Sequence, residues 1–409
     1  MDTTTPALLS IDPKLLAAAP HRLLFLVGAS NVLLAMFWWG LWLLDARFQI
    51  IGLAQPIIPA VWMHAIIMQF QVLTPFIFGF LLTVFPRWMN LPALTRWHYI
   101  PVGLGLLGGQ ILTLIGLFGF PHLLILGLIQ SLAGWVAGLY FLLQLLWKEK
   151  QTTWHAISAA TALTLGLVGL SLVLAYAYTG NARLMFAAIK FGSVGLLLPI
   201  YFTVCHRMIP FFASNIIPDY KVFRPLWALA VFWFLILLHL GLELVHGYAW
   251  LWISDIPLML LSVFLLWHWW SNKPQPALLK VLMLGFAWLP IAMLLYSIQS
   301  LWYVGTEQFI LGRAPAHAMF IGYFGSLLVA MVTRVTQGHS GRPLELGRVA
   351  GFAFMTIQLV AILRIVAEIM PDAMWWQVIA ALLWLLAFLP WVMRSAWIYL
   401  TPRADGQAG

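Results

Sequence analysis

The stretch MFIGYFGSLLVAMVTRVTQGHSGR, Met319 to Arg342, joins an apolar run to a polar end that can form a turn. Its first fourteen residues carry no charge. Arg334 and Arg342 then bracket His339 and two glycines. The run is apolar enough to lie inside a membrane, and the arginines would then lie at the surface of that membrane.

The composition places the chain among membrane proteins. Of its 409 residues, 63% are hydrophobic and 8% are charged, whereas a soluble domain carries about 25% charged residues. The net charge of +9 comes from basic residues scattered singly between apolar runs. This spread is typical of loops that contact anionic membrane lipid; it does not indicate nucleic acid, and no soluble partner is evident. The single cysteine, Cys205, excludes an intramolecular disulfide framework and a metal site built from several cysteines.

Apolar runs long enough to cross a bilayer recur along the whole chain. A membrane-spanning helix needs about 20 mostly apolar residues. The sequence therefore predicts an all-α, polytopic membrane helix bundle of twelve helices, residues 22–400, between an N-terminal segment, residues 1–21, and a tail, residues 401–409. We find no convincing internal repeat. The predicted spans are residues 22–44, 57–85, 98–118, 121–147, 154–178, 184–212, 225–246, 249–270, 277–303, 314–336, 347–370 and 374–400.

The distribution of lysine and arginine predicts the orientation of the bundle. Of the 21 residues of these two types, fourteen lie toward the side of the N-terminus, three lie in the opposite loops and four lie inside spans. Basic residues stay preferentially on the cytoplasmic side of a membrane. Both termini and both terminal segments are therefore predicted to be cytoplasmic.

Ionisable side chains at membrane depth are costly and are therefore candidates for function. His64 and His317 each lie a few residues inside a span that the chain enters from the outer side. Because they belong to different helices, their imidazoles could face each other and ligate one metal ion. His64 could instead form a hydrogen bond between helices, and His317 could cap a helix. His339 follows His317 by 22 residues, about 33 Å in a continuous helix, and is excluded from that site.

A second set of ionisable residues lies in the seventh predicted span. His239, Glu243 and His246 are spaced i, i+4 and i+7 and would share one helix face. That face is either a functional site or a packed polar seam. Lys190 and Glu368, in the sixth and eleventh spans, could form a proton or ion relay or a buried pair. Arg364 is one helical turn from Glu368 and could instead pair with it locally.

A long motif begins at the tenth predicted span. HAMFIGYFGSLLVAMVTRVTQGHSGRPL, residues 317–344, closely resembles the signature of the NnrS family, roughly H-A-x-x-x-G-x-x-G-x-x-x-L-A-V-M-T-R-x-x-x-G-H-T-G-R. Three further stretches resemble family motifs in the same order: GFLLTVFPRW, residues 79–88, RMIPFF, residues 207–212, and LGFAWLP, residues 284–290. The matching stretches extend over nearly the whole chain.

The resemblance implies a twelve-helix protein of the bacterial cytoplasmic (inner) membrane that binds haem and copper. The family is associated with bacterial responses to nitric oxide and nitrosative stress, and its genes often lie beside denitrification genes. Because imidazole suits iron and copper, the expected metal ligands are His64 and His317. Basic groups at the inner side are expected to bind the cofactor, since guanidinium groups can hold haem propionates; simple anchoring of the arginines on lipid stays open. These residues are Arg207, Arg334, His339 and Arg342.

The chain departs from the family pattern at two histidine positions. The family usually carries W-H-x-H-E before its first motif, where this chain has MHAII, residues 63–67, with Ile66 at the second histidine. The family also usually carries L-H-L-G before A-W-L-P, where this chain has Met283. The chain is therefore expected either to bind one metal cofactor rather than two, or to have taken another role. Whether it is an enzyme is left open.

Two other classes of membrane protein share the twelve-span layout. A secondary transporter of a small solute is the alternative, although the loop TVFPRWMNLPALTR, residues 83–96, lacks the Gly-Asp-Arg pattern usual in the major facilitator layout. A haem–copper oxidase core requires a His-His pair and a His-x-His, and the sequence has neither.

Overall fold

The structure, a computed structural model, describes residues 11–407. All regular secondary structure in this range is helical, and twelve helices are long and apolar enough to cross a membrane. The prediction of an all-α, twelve-helix membrane bundle is confirmed. Residues 1–10 and 408–409, which belong to the two predicted terminal segments, lie outside the described residues.

The twelve helices begin and end within about four residues of the predicted spans. Two short 3-10 turns, Pro13–Ala17 and Tyr248–Trp250, accompany them. The helices are α1 Pro20–Phe48, α2 Ala60–Trp88, α3 Arg96–Gly116, α4 Pro121–Lys148, α5 Trp154–Thr179, α6 Ala182–Ser214, α7 Leu226–Leu244, α8 Trp252–Trp269, α9 Ala277–Thr306, α10 Ala314–His339, α11 Arg348–Val366 and α12 Ala373–Tyr399.

Local sequence explains several helix ends. Pro20 and Pro121 lie in the first turns of α1 and α4, where the missing N–H of proline leaves no helix hydrogen bond unmade. The side chains of Asn181 and Asp372 cap α6 and α12 by accepting backbone N–H groups. Gly180, with a φ of 66°, ends α5 in the left-handed conformation that glycine adopts most easily.

Three helices that are four apart in the chain pack in a similar way. α1 packs against α2 and α12, α5 packs against α4 and α6, and α9 packs against α8 and α10. α2, α6 and α10 each contain a π-helical turn, at Met68–Val72, Phe191–Leu197 and Ala318–Gly325. π turns within α-helices are frequent at functional sites. α2 and α10 are also the two most buried helices of the twelve.

Both ends of the described chain meet at one end of the bundle. The backbone N–H of Asp12 donates to the carbonyl of Leu400 at 2.8 Å. The Nη1 of Arg22 donates to the carbonyls of Tyr399 and Thr401, both at 3.0 Å. We call this end the terminal face and the opposite end the far face. The cytoplasmic location of the terminal face stays a prediction.

Candidate functional site

A cavity of about 600 Å³ lies at the terminal face between α2, α6 and α10. Its volume falls in the range of about 300–1,000 Å³ that is typical of small-molecule sites. Aromatic rings form part of its wall, and none of the described residues that line it is acidic. The cavity therefore suits an anion that has an apolar body. Five arginines line it: Arg87, Arg207, Arg224, Arg334 and Arg403.

Aromatic rings hold two of these arginines. The guanidinium carbon of Arg334 lies 3.8 Å from the ring centre of Phe212, and that of Arg207 lies 4.4 Å from the ring centre of Trp88. Arg334 is buried, and its Nε has no hydrogen-bond partner in the described part of the chain. Leaving a buried donor unpaired is costly, so an anion in the cavity would supply the missing acceptor.

His339 lines the same cavity and packs against a second histidine. Its ring centre lies 4.4 Å from that of His21, with 33° between the ring planes. His21 is buried, and its Nδ1 has no partner among residues 11–407. No sequence pattern points to His21, because it lies near the start of α1 and no spacing relates it to α10.

The C-terminal tail closes one side of the cavity. Nη1 of Arg403 donates to the carbonyl of His339 at 3.1 Å, and Nη2 pairs with Asp405 at 2.5 Å. Hydrogen bonds from Arg403 lower the pKa of Asp405 to about 2. Arg403 therefore connects the tail to the histidine that lines the cavity.

Arg342 does not line this cavity. Its guanidinium carbon lies 5.1 Å from the ring centre of Trp397. Burial, and after it the charge of Arg394, lowers the pKa of Arg342 from its ordinary value. Of the four residues predicted to bind a cofactor, the structure brings together Arg207, Arg334 and His339 at the cavity and leaves Arg342 outside its lining.

At the far face, both ring nitrogens of His317 have protein partners. Its Nδ1 lies 2.9 Å from the carbonyl oxygen of Arg313. Its Nε2 accepts a hydrogen bond from Nη2 of Arg364 at 3.0 Å. The same guanidinium nitrogen also donates a hydrogen bond to Oε1 of Glu368 at 3.1 Å. A metal ion at this Nε2 would have to displace Arg364.

His64 lies near the start of α2, at the same far face. Its ring stacks on Trp39, with 4.3 Å between ring centres and 10° between planes. Because α10 is one continuous helix, His317 and His339 lie at its opposite ends. Across the described chain, no group of three or more His, Cys, Asp or Glu side chains is arranged to hold a metal ion.

The ionisable residues of α7 enter a second network at the far face. Glu243 pairs with Lys190 of α6, and His239 pairs with Asp255 of α8. Asp255 is not among the predicted site residues, although an acidic residue inside an apolar run is a signal that could have identified it. Lys190 therefore forms a salt bridge with Glu243, and Glu368 forms one with Arg364. Lys190 and Glu368 thus pair with other residues and not with each other.

His246 does not belong to that network. α7 ends at Leu244, and Nδ1 of His246 lies 2.8 Å from the hydroxyl of Tyr248. The prediction that His246 shares a helix face with His239 and Glu243 is wrong, because the helix ends before it.

A comparison with protein families identifies the chain. The family profile described as NnrS protein matches residues 15–403. The chain belongs to the NnrS family. No curated protein matches it detectably.

Three of the four NnrS stretches meet at the cavity of the terminal face. Residues 79–88 of α2, residues 207–212 of α6 and the signature, residues 317–344, each contribute lining side chains. The fourth stretch, residues 284–290, lies in α9 outside the lining. Three of the four stretches, which are far apart in sequence, therefore line one cavity.

Proposed function

We propose that this NnrS protein binds haem in the arginine-lined cavity and acts in the response to nitric oxide and nitrosative stress at the bacterial cytoplasmic membrane. The proposal rests on the observation that residues of three NnrS motifs line one cavity. Like charges repel, so five guanidinium groups around one space need an anionic ligand to balance them. Packing alone does not require them there.

The residues of the cavity fit haem. Arg207 and Arg334 would hold the propionates through charge-assisted hydrogen bonds, and the aromatic wall that includes Phe212 and Trp88 would contact the macrocycle. His339 would offer an imidazole to the iron. Bound haem would supply an iron centre that can bind a small diatomic such as nitric oxide.

The predicted copper site does not fit in the same way. His64 and His317 both lie at the far face, but Arg364 occupies Nε2 of His317. A guanidinium beside a metal ligand repels the metal cation. Together with Ile66 and Met283 at two histidine positions of the family pattern, this favours haem as the one cofactor. Copper at His64 and His317 stays a prediction.

A visible absorption spectrum of the protein, expressed with haem supplied, tests the proposal. We expect a Soret band. Arg334→Gln and Arg207→Gln should each weaken haem binding about 10-fold to 100-fold, because a hydrogen bond to a charged group contributes about 1.5–3 kcal/mol. The matched control is Arg342→Gln, which removes a terminal-face arginine outside the cavity lining and should keep haem.

Two results would overturn the proposal. A folded, monodisperse wild-type protein without a Soret band would favour the alternative, a secondary transporter of a small solute. Equal loss of haem from the Arg334, Arg207 and Arg342 variants would show that the arginines act as membrane anchors.

A further inference from the structure

Four ionisable side chains form a connected chain between α6, α7 and α8 at the far face. Nζ of Lys190 lies 2.5 Å from Oε1 of Glu243, and Nε2 of His239 lies 3.5 Å from Oε2 of Glu243. Nδ1 of His239 lies 2.5 Å from Oδ1 of Asp255. His239, Glu243 and Asp255 are 3%, 2% and 0% exposed, so three buried groups lie in series.

One end of this chain opens to a cavity of about 440 Å³. Lys190 and Glu243 line that cavity, whereas His239 and Asp255 do not. His239 therefore connects a carboxylate at the cavity wall to a carboxylate that is fully enclosed. The cavity lies at the far face, at the opposite end of the bundle from the proposed haem site.

Three buried oxygens around this chain have no hydrogen-bond partner in the described range. They are Oε2 of Glu243, Oδ2 of Asp255 and Oε1 of Gln299. All three are acceptors, so the missing group must donate hydrogen bonds. A metal ion is not indicated, because these side chains are not arranged to hold one. A proton, carried into the cavity by water, satisfies a carboxylate oxygen directly.

We propose that Glu243, His239 and Asp255 form a proton-transfer chain that exchanges protons with the aqueous phase at the far face. A hydronium ion in the cavity gives its proton to the carboxylate of Glu243 and leaves as water. The new O–H bond breaks as the Nε2–H bond of His239 forms. The Nδ1–H bond of His239 breaks as an O–H bond forms on Asp255. Glu243 is again a carboxylate, and Asp255 holds the proton.

The surrounding charges favour transfer toward Asp255. Lys190 faces Glu243 and stabilises its carboxylate form, so a proton does not stay there. Asp255 accepts hydrogen bonds from His239 and Ser254, and no lysine or arginine pairs with it within residues 11–407. Intramembrane chains of Asp, Glu and His are a common form of proton relay. The other ionisable groups that line the cavity are Arg313 and the phenols Tyr248 and Tyr296.

Infrared spectroscopy of the full-length protein in lipid nanodiscs tests the chain. We expect a carboxylic-acid C=O band in the wild type as the pH is lowered, and its absence in Asp255→Asn. Transfer to heavy water should shift this band as the proton exchanges. In Glu243→Gln the exchange should slow about 100-fold, since a positioned proton-transfer group contributes about 10²–10⁴ in rate. The measurement requires no haem and is independent of the proposed function.

Two variants serve as controls. Glu307→Gln removes an exposed far-face carboxylate outside the cavity lining and should change neither the band nor its exchange. Lys190→Met with Glu243→Gln leaves no lysine without its carboxylate partner and should show the same slow exchange as Glu243→Gln. The proposal is overturned if the wild type has no such band, if Asp255→Asn keeps it, or if exchange stays fast in both Glu243 variants.

Discussion

Arg364 determines what His317 can bind at the far face. Its Nη2 is shared between Nε2 of His317 and Oε1 of Glu368, at 3.0 and 3.1 Å. Nη1 of Arg364 has no partner among the described residues. The arginine thus places a positive charge where a metal ion would approach the imidazole. A metal ion at Nε2 of His317 would have to displace this side chain, and copper at His64 and His317 stays a prediction.

Replacing Arg364 by leucine should release Nε2 of His317 and strengthen Cu(I) binding. We expect about a 10-fold gain or more, because a hydrogen bond to a charged group contributes about 1.5–3 kcal/mol and about 1.4 kcal/mol is 10-fold. Competition with a Cu(I) chelator measures the gain. It should disappear in Arg364→Leu with His317→Ala. A gain that survives the loss of His317 would contradict this account.

At the scale of the helices, close approach depends on glycine. α3 and α4 pack so closely that a Cβ built on Gly105 would lie 2.5 Å from Cα of Gly134. Helices in lipid gain stability from such contacts, since small residues let the backbones approach. Gly241 in α7 differs, because a Cβ there meets nothing within 4 Å. The same residue type therefore has different roles in two helices.

Gly105→Ala should destabilise the bundle, whereas Gly241→Ala should not. Overpacking a tight contact costs about 1–3 kcal/mol, and alanine in a helix gains up to about 1 kcal/mol over glycine. Thermal unfolding in detergent should show a lower Tm for the first variant and an equal or higher Tm for the second. Equal melting temperatures for Gly105→Ala and the wild type would show that the two helices can move apart.

At the scale of the whole molecule, both chain ends complete the terminal face. Arg22 near the start of α1 binds the carbonyls of Tyr399 and Thr401. Arg403 binds the carbonyl of His339 and lines the cavity. The first helix, the tenth helix and the tail therefore meet around one site.

Removing residues 402–409 should weaken haem binding more than it lowers the Tm. The truncation deletes Arg403, one of the five lining arginines, but keeps Thr401 and its bond to Arg22. We expect about a 10-fold loss of haem affinity, the lower end of the effect of a charge-assisted bond. A large fall in Tm with unchanged haem affinity would assign the tail a purely structural role.

The pairing of Arg403 with Asp405 in the C-terminal tail should not depend on pH near neutrality. Arg403 lowers the pKa of Asp405 to about 2, below the unfolded value of about 3.9. The stabilising pairing is therefore fully present above about pH 4 and is lost as the pH falls toward about 2. Haem affinity measured between about pH 5 and 8 should show no step that Asp405→Asn removes. Such a step would contradict the assignment.

The orientation of the bundle follows from its loops. Fourteen lysines and arginines against three predict that the terminal face is cytoplasmic. A reporter that is active only in the periplasm should be inactive when fused after Gly409 and active when inserted in the loop of residues 304–313. The reverse pattern would show that the bundle is inverted.

The twelve helices, the family and much of the cavity could be predicted from the sequence alone. A bilayer offers no water to backbone groups, so an apolar run such as residues 319–332 must satisfy its N–H and C=O groups within a helix. Length and composition therefore suffice to predict each span. The motifs likewise identified Arg207, Arg334 and His339, which line the cavity.

Only the tertiary structure decided which polar groups meet. Lys190 meets Glu243, His339 meets His21, and Arg364 occupies Nε2 of His317. The partners in each pair lie on different helices. Which helices are neighbours, and which face each one turns inward, depends on the close packing of the whole bundle. No local pattern in the sequence records that packing.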